Sequence, residues 1–165
     1  MGVKKFKLIP IDYLEMRRKL RELIMNEDRP KTKVILQILY IQLINGAKIR
    51  EAYEGYYKWL EDPAQKTVMV KATKREKPVY RKLRIPVDEI EPINERVHIE
   101  SVKNYAMKKL GVNTHSLRYA FIWFLAKDLH FTPKEIARII KHAYPPTIAK
   151  TLEQLERAYQ RTNSR

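Results

Sequence analysis

Apolar residues recur at helical spacing over most of the chain, and this spacing predicts helices in its first third. Asp12 stands where a helix N-cap is expected, ahead of a helix over 13–25. The apolar face predicted for this helix consists of Leu14, Leu20, Leu23 and Ile24. Pro30 begins a second helix, since proline favours the first helical turn, and its almost wholly apolar run VILQILYIQLI predicts the central buried helix. The break at Asn45-Gly46 precedes a third helix from Ala47 to about Leu60.

Residues 67–86 depart from helical spacing and contain two runs of β-favouring residues, which predict a β-hairpin. The residues that favour strands are Thr67, Val68, Val70, Val79, Tyr80, Leu83 and Ile85. A polar turn over 72–78 joins the two runs, and its tip is rich in Lys and Arg. The stretch VDEIEPINERV then reads as a connector back to helical structure.

The last third of the chain again predicts helices. The first runs from about Ser101 to Leu110, with Gly111 as its stop, and the second spans 114–128. Thr132 and Glu135 form a capping-box pattern for a helix that ends near residue 142. Pro145 and Pro146 are expected to separate that helix from a last one, TIAKTLEQLERAYQ. We therefore predict a mainly α fold with a small β-hairpin, forming one domain over 1–165.

The net charge of the chain indicates what kind of partner it binds. Lys and Arg outnumber Asp and Glu by 34 to 19, which gives a net charge of +15. Such an excess attracts polyanions, and we expect the partner to be double-stranded DNA. The chain has no cysteine, and its four histidines lack metal-ligand spacing, so no metal is expected. No apolar run is long enough to span a membrane, and we expect a cytoplasmic, DNA-associated protein.

Several basic groups suggest phosphate chemistry. His115 and Arg118 lie three residues apart and share a helix face. A guanidinium can hold two oxygens of one phosphate, and a neighbouring imidazole can donate to it or move a proton. Lys74 or Lys77 at the hairpin tip could protonate a leaving 5′ oxygen. Under the alternative, His115 caps its helix and Arg118 is a solvated surface charge.

The order of these motifs resembles the catalytic domain of the tyrosine recombinases, most closely archaeal virus and plasmid integrases. NGAKIREAYEGYYKW resembles the first arginine box, and TVMVKATKREKPVYRKLRIP resembles the hairpin that carries the catalytic lysine. NTHSLRYAFIWFLAKD resembles the His-x-x-Arg box, and EIARIIKH resembles the Ile-x-Gly-His box with Lys141 in place of glycine. The resemblance covers about residues 30–155. Complete enzymes of this family also carry an N-terminal DNA-clamping domain, for which this chain has no room.

The resemblance implies a set of site residues. A tyrosine would attack a DNA phosphate, with no metal or other cofactor required. The implied catalytic residues are Lys48, Glu51, Lys74 or Lys77, His115, Arg118 and His142. Additional DNA contacts are expected from Arg50, Arg75, Lys141 and Lys150.

Two positions depart from the family pattern. Lys48 replaces the first arginine, which keeps the charge but loses the bidentate fork. The nucleophilic tyrosine would fall near Thr151, where the sequence has a much less acidic hydroxyl. Tyr144 and Tyr159 are the nearest tyrosines; they either pack, or serve through a shifted last helix or exchange between subunits of a homo-oligomer on DNA. We therefore expect DNA binding with impaired cleavage.

A rival interpretation uses residues 132–158 alone. A capped helix, a short turn and a second helix resemble a helix-turn-helix regulator. Its second helix would present Thr147, Lys150, Thr151 and Gln154 to DNA. This interpretation leaves the hairpin and the His115–Arg118 pair without a role. A structural RNA-binding protein fits the charge as well, but most aromatic residues lie in predicted helices rather than on strands.

Overall fold

The computed structural model describes residues 7–72, 79–141 and 145–163. These residues form a mainly helical fold with a two-stranded antiparallel sheet, which confirms the predicted class. The helices are α1 (Tyr13–Asn26), α2 (Pro30–Asn45), α3 (Ile49–Glu61), α4 (Ile99–Tyr105), α5 (Thr114–Lys127), α6 (Pro133–Ile140) and α7 (Pro145–Asn163). The strands are β1 (Thr67–Lys71) and β2 (Tyr80–Arg84).

Helix α1 begins where the sequence predicts, but it buries a different face. The Asp12 carboxylate accepts a hydrogen bond from the backbone N–H of Glu15, as an N-cap does. The buried residues are Tyr13, Met16, Leu20 and Ile24. The assignment of Leu14 to the core is wrong, because this side chain points about one third of a turn away from that stripe and is 57% exposed.

Helix α2 is the central helix, and every residue from Val34 to Asn45 is buried. It ends at Gly46, whose φ of +59° lies in the left-handed region that favours glycine. A Cβ atom at this position would lie 2.2 Å from Cδ1 of Phe121, so the close approach of α5 also requires glycine. The predicted break at Asn45-Gly46 is therefore confirmed. Helix α3 starts at Ile49, two residues later than expected.

Strands β1 and β2 form the predicted hairpin, with Thr67 opposite Arg84 and Met69 opposite Lys82. Alternate side chains of each strand face inward and pack on α2 and α3, where Gly55 allows Leu83 to approach closely. The tip of the hairpin, with Lys74, Arg75 and Lys77, lies outside the described residues.

Element boundaries in the last third differ from the predictions by a few residues. Helix α4 starts at Ile99 and continues into a π-helical turn, Ala106–Leu110, before Gly111 ends it with a φ of +68°. The capping box of α6 is present, but the helix ends at Ile140 instead of near residue 142. Pro145 begins α7 instead of separating two helices, because proline is favoured in a first turn.

The predicted connector between β2 and α4 is held by polar side chains of α2 and α3. The Gln37 amide exchanges two hydrogen bonds with the backbone of Glu91, at 2.7 and 2.8 Å. The hydroxyl of Tyr57 accepts from the N–H of Val97 at 2.9 Å and donates to the carbonyl of Glu95 at 3.0 Å. These bonds provide hydrogen-bond partners for backbone N–H and C=O groups of the connector, which has no regular secondary structure. Among the described helices, none combines the length and apolar character needed to cross a membrane.

Candidate functional site

The site begins at the turn between α2 and α3. Lys48 is the exposed N-cap residue of α3, and its backbone N–H donates to Oε1 of Glu51 at 2.9 Å. This bond fixes the start of α3 and draws the Glu51 carboxylate back toward the turn. Glu51 is fully buried, so its charge requires a cationic partner nearby.

That partner is Arg81, which reaches Glu51 from the inward face of β2. Its Nη1 lies 3.4 Å from Oε1 of Glu51, and its Nη2 donates to the carbonyl of Asn45 at 2.7 Å. Burial lowers the pKa of Arg81, and the Glu51 carboxylate opposes that shift. Arg81 was not among the site residues predicted from the sequence. Its position in the strand could have revealed it. Side chains of a strand alternate between two faces, and Arg81 lies on the same face as the buried Leu83.

Arg118 is a second buried arginine at the same turn. Its side chain on α5 is only 8% exposed, and its Nη1 donates to the carbonyl of Gly46 at 3.2 Å. Burial lowers its pKa to about 10; the Glu51 carboxylate opposes this shift, while the neighbouring Arg81 adds to it. Arg118 therefore remains protonated at neutral pH, and it is not the solvated surface charge of the alternative interpretation.

His115 lies in the first turn of α5, one turn before Arg118. Asn113 caps this helix by accepting from the N–H of Ser116 at 2.9 Å, so the imidazole is not the cap. Partial burial lowers the pKa of His115, and the positive charges of Arg118, Lys103 and Lys48 lower it further. The charges of Lys48 at the start of α3, Lys103 on α4 and Arg118 on α5 therefore all act on His115. Lys103 was not among the residues singled out from the sequence.

The chemistry of this cluster favours an anion. Lys48, Lys103, Arg118 and Arg81 carry positive charge, and Glu51 is the carboxylate that faces the two arginines. A phosphate oxygen can accept charge-assisted hydrogen bonds from such cations. In the described ranges, no group of three or more His, Asp or Glu side chains could hold a metal ion.

The remaining predicted residues lie elsewhere or are engaged in packing. Arg50 is half-buried on α3, and Lys141 and Lys150 are exposed. Thr151 is half-buried, and its hydroxyl donates to the carbonyl of Thr147 at 3.0 Å, within α7. His142 and Tyr144, like the three basic residues of the hairpin tip, lie outside the described residues.

Tyr159 links α7 to the segment that precedes α1. Its hydroxyl donates to the carbonyl of Ile11 at 2.7 Å and accepts from the N–H of the same residue at 3.0 Å. Its ring stacks on Trp123 with centroids 4.8 Å apart, and burial raises the pKa of the phenol. This placement is the packing role that the sequence left open for Tyr159.

Comparison with known proteins shows similarity to a viral protein and to a protein of Methanocaldococcus jannaschii. Over 111 residues the chain is 32% identical to "Putative integrase ORF241" of Acidianus two-tailed virus, covering 64% of this chain and 45% of the viral protein. It is 28% identical, over an alignment of 173 residues, to uncharacterized protein MJ0770 of Methanocaldococcus jannaschii, covering 83% of this chain and 74% of that protein. No protein-family model and no solved structure matches. The chain is thus similar to a viral protein named as an integrase, and it spans less than half of that protein's length.

Proposed function

We propose that this chain is a DNA-binding domain of the tyrosine recombinase kind, in which Lys48, His115 and Arg118 hold a DNA phosphate. The observation that carries the proposal is the meeting of Arg118 and Arg81 at the turn between α2 and α3, where the backbone N–H of Lys48 donates to Glu51. His115 lies one turn before Arg118 on α5. The similarity to a viral protein named as an integrase supports it. The net charge of +15 is suited to a polyanion.

The proposed reaction class is transesterification at phosphorus. A tyrosine oxygen would bond to phosphorus, the bond to the 5′ oxygen would break, and that oxygen would take up a proton. Arg118 would neutralise the non-bridging oxygens, and neutral His115 could accept or pass a proton. Lys48 can supply positive charge but not the two parallel hydrogen bonds that a guanidinium donates to a phosphate. Thr151 has an alcohol hydroxyl, which is far less acidic than the phenol of tyrosine. We therefore propose that the chain binds DNA and cleaves it poorly or not at all.

Affinity for a DNA duplex, measured over a range of salt concentrations, tests the binding. The logarithm of the affinity should fall steeply with the logarithm of salt concentration, since each neutralised phosphate contributes a slope of about −0.9. Lys48→Gln should make this slope shallower by about one, whereas Lys19→Gln on α1 should leave it nearly unchanged. A flat salt response in the wild-type protein would contradict the proposal.

Replacement of Arg118 tests the shared phosphate site. Arg118→Lys keeps the charge but removes the fork, and we expect at least about a tenfold loss of affinity because a hydrogen bond to a charged group contributes roughly 1.5–3 kcal/mol. The melting temperature of each variant, followed by circular dichroism, separates this loss from unfolding. Unchanged affinity in a folded Arg118→Lys variant would remove Arg118 from the site.

A nicked suicide substrate tests the cleavage. Denaturing electrophoresis should show no covalent protein–DNA band for the wild-type protein. A band after combining Thr151→Tyr with Lys48→Arg would support a tyrosine recombinase site that has lost its chemistry. A wild-type band would contradict the proposed inactivity, and its loss in Tyr159→Phe would then identify the nucleophile.

A helix-turn-helix regulator is the second candidate, because one side of α7 is free of core contacts. Thr147, Lys150 and Gln154 are exposed, whereas Ile148 and Leu155 are buried. Under this alternative, Lys150→Gln combined with Gln154→Ala should weaken DNA binding strongly, while Arg118→Lys should barely change it. The opposite ranking is expected for the phosphate site.

A further inference from the structure

The β-hairpin has a solvent-facing side that the cluster around His115 does not use. This outer face consists of Thr67, Met69, Lys71, Tyr80, Lys82 and Arg84, and all six side chains are exposed. The inward side of the same strands buries Val68, Val70, Leu83 and Arg81. Both large hydrophobic residues of the outer face are about half exposed, Tyr80 at 51% and Met69 at 45%.

The outer face carries three positive charges and no negative one. Within the described part of the chain, no carboxylate forms an ion pair with Lys71, Lys82 or Arg84. The carboxylates of the connector are directed elsewhere, since Glu89 pairs with Arg21 and Glu91 pairs with Lys33. The described strands of the hairpin therefore present positive charge to solvent without a carboxylate partner among the described residues.

The strand that carries two of these cations is hydrogen-bonded to the end of α2, beside the candidate site. The N–H of Arg84 donates to Oδ1 of Asn45 at 2.8 Å, and its carbonyl accepts from Nδ2 of Asn45 at 2.9 Å. Asn45 is also the residue whose carbonyl accepts from Arg81. One side-chain amide thus connects the edge of the sheet to the turn between α2 and α3.

The spacing and shape of this face suit a phosphate backbone. Lys82 and Arg84 lie two residues apart on one strand, roughly 7 Å at the usual rise, so they can contact successive phosphates of one DNA strand. Beside them, a cleft of about 320 Å³ is lined by Thr67, Lys82 and Arg84, by Asn45 and Arg81 of the candidate site, and by the apolar residues Ile44, Phe121 and Ile139. The cleft offers space for part of a nucleotide between charged and apolar walls.

We infer that the outer face of the hairpin is a second contact surface for the phosphodiester backbone of duplex DNA, adjacent to the cluster around His115 and formed by different side chains. This inference rests on the proposed function, because it presumes a DNA partner. Lys71, Lys82 and Arg84 neutralise phosphates, and the Tyr80 hydroxyl donates to a phosphate or sugar oxygen. The contacts are independent of base sequence and fix the orientation of the domain on the duplex.

Two triple variants of equal charge test the inference. In the first, Lys71, Lys82 and Arg84 are replaced by Gln; in the control, Arg18, Lys19 and Lys31 on α1 and α2 are replaced by Gln. The first variant should lose at least tenfold in duplex affinity at 0.1–0.15 M salt, and its salt slope should become shallower by about 2–3. The control should change affinity by less than about threefold, which reflects net charge alone.

Protection of lysines in the wild-type protein gives a second readout that needs no substitution. Acetylation of Lys71 and Lys82 should slow when saturating duplex DNA is present, whereas Lys19 and Lys31 should react as before. If the wild-type protein binds DNA with a steep salt dependence but the outer-face variant matches its control, this inference is wrong and the proposed function stands. Absence of duplex binding, or binding of RNA alone, would overturn both.

Discussion

Lys141→Gly should stabilise the protein relative to a matched Lys→Gly substitution in a helix. Lys141 ends α6 with a φ of +55°, in the left-handed region where a Cβ atom is strained. Glycine stands at this position in the Ile-x-Gly-His box that EIARIIKH resembles, and glycine adopts the left-handed backbone seen at Lys141 without strain. Lysine keeps a charge here at the cost of backbone strain.

The magnitude follows from a comparison of two exposed lysines. Lys150 lies inside α7, where glycine costs roughly 0.5–1 kcal/mol. Both substitutions raise the conformational entropy of the unfolded chain by the same amount, and both remove one positive charge. The difference between the unfolding free energies of the two variants therefore reports the backbone conformation of the native state. Relief of left-handed strain contributes about 1–2 kcal/mol, and Lys141→Gly should exceed Lys150→Gly in stability by that amount. For a chain of this size the difference corresponds to roughly 2–8 °C in Tm.

Thermal unfolding followed by circular dichroism, with urea unfolding as a second measure, provides the assay. Lys141→Asn serves as an intermediate case, since asparagine tolerates the left-handed region better than lysine does. If Lys141→Gly melts below Lys150→Gly, then residue 141 is not strained and the account of the end of α6 is wrong.

Three other substitutions test the packing around the site, each by urea unfolding. Gly46→Ala should cost about 3 kcal/mol, because it adds backbone strain and a clash with the ring of Phe121; a loss below 1 kcal/mol would contradict the close approach. Arg81→Met should cost roughly 3–5 kcal/mol by leaving Glu51 buried without its partner, and adding Glu51→Gln should recover part of that loss; additive costs would rule out the ion pair. Tyr159→Phe should cost about 1–2 kcal/mol through its two lost backbone hydrogen bonds and leave duplex affinity unchanged; an affinity loss in the folded variant would point to a role at the DNA.

Local signals in the sequence were sufficient for most of the elements. The helix caps Asp12 and Thr132 and the glycines at 46 and 111 interact with backbone only a few residues away. Their effect can therefore be predicted without knowledge of the tertiary structure. The assignment of Leu14 to the buried face failed because several faces of α1 carry apolar residues, and the choice among them depends on where α2 and α5 pack.

The composition of the site depended on contacts that spacing along the chain does not reveal. The His115–Arg118 pair is a local pattern, and it was found from the sequence. The meeting of Glu51 with Arg81 joins residues thirty positions apart and requires the hairpin to fold against the end of α2. The charge of Lys103 near His115 likewise depends on how α4 and α5 pack. Such pairs become visible only once the tertiary structure is known.

The direct test of the phosphate site is an NMR titration of the wild-type histidines with a DNA duplex. The free protein should show His115 titrating below the ordinary value of about 6.5, because burial and neighbouring cations lower its pKa. A bound phosphate should raise that pKa, so duplex affinity should increase as pH falls from neutral. Large shifts of the His115 imidazole on DNA addition, with His98 and His130 unchanged, are the expected result. Saturating DNA binding that leaves the His115 signals and their pKa unaltered would show that the phosphate lies elsewhere.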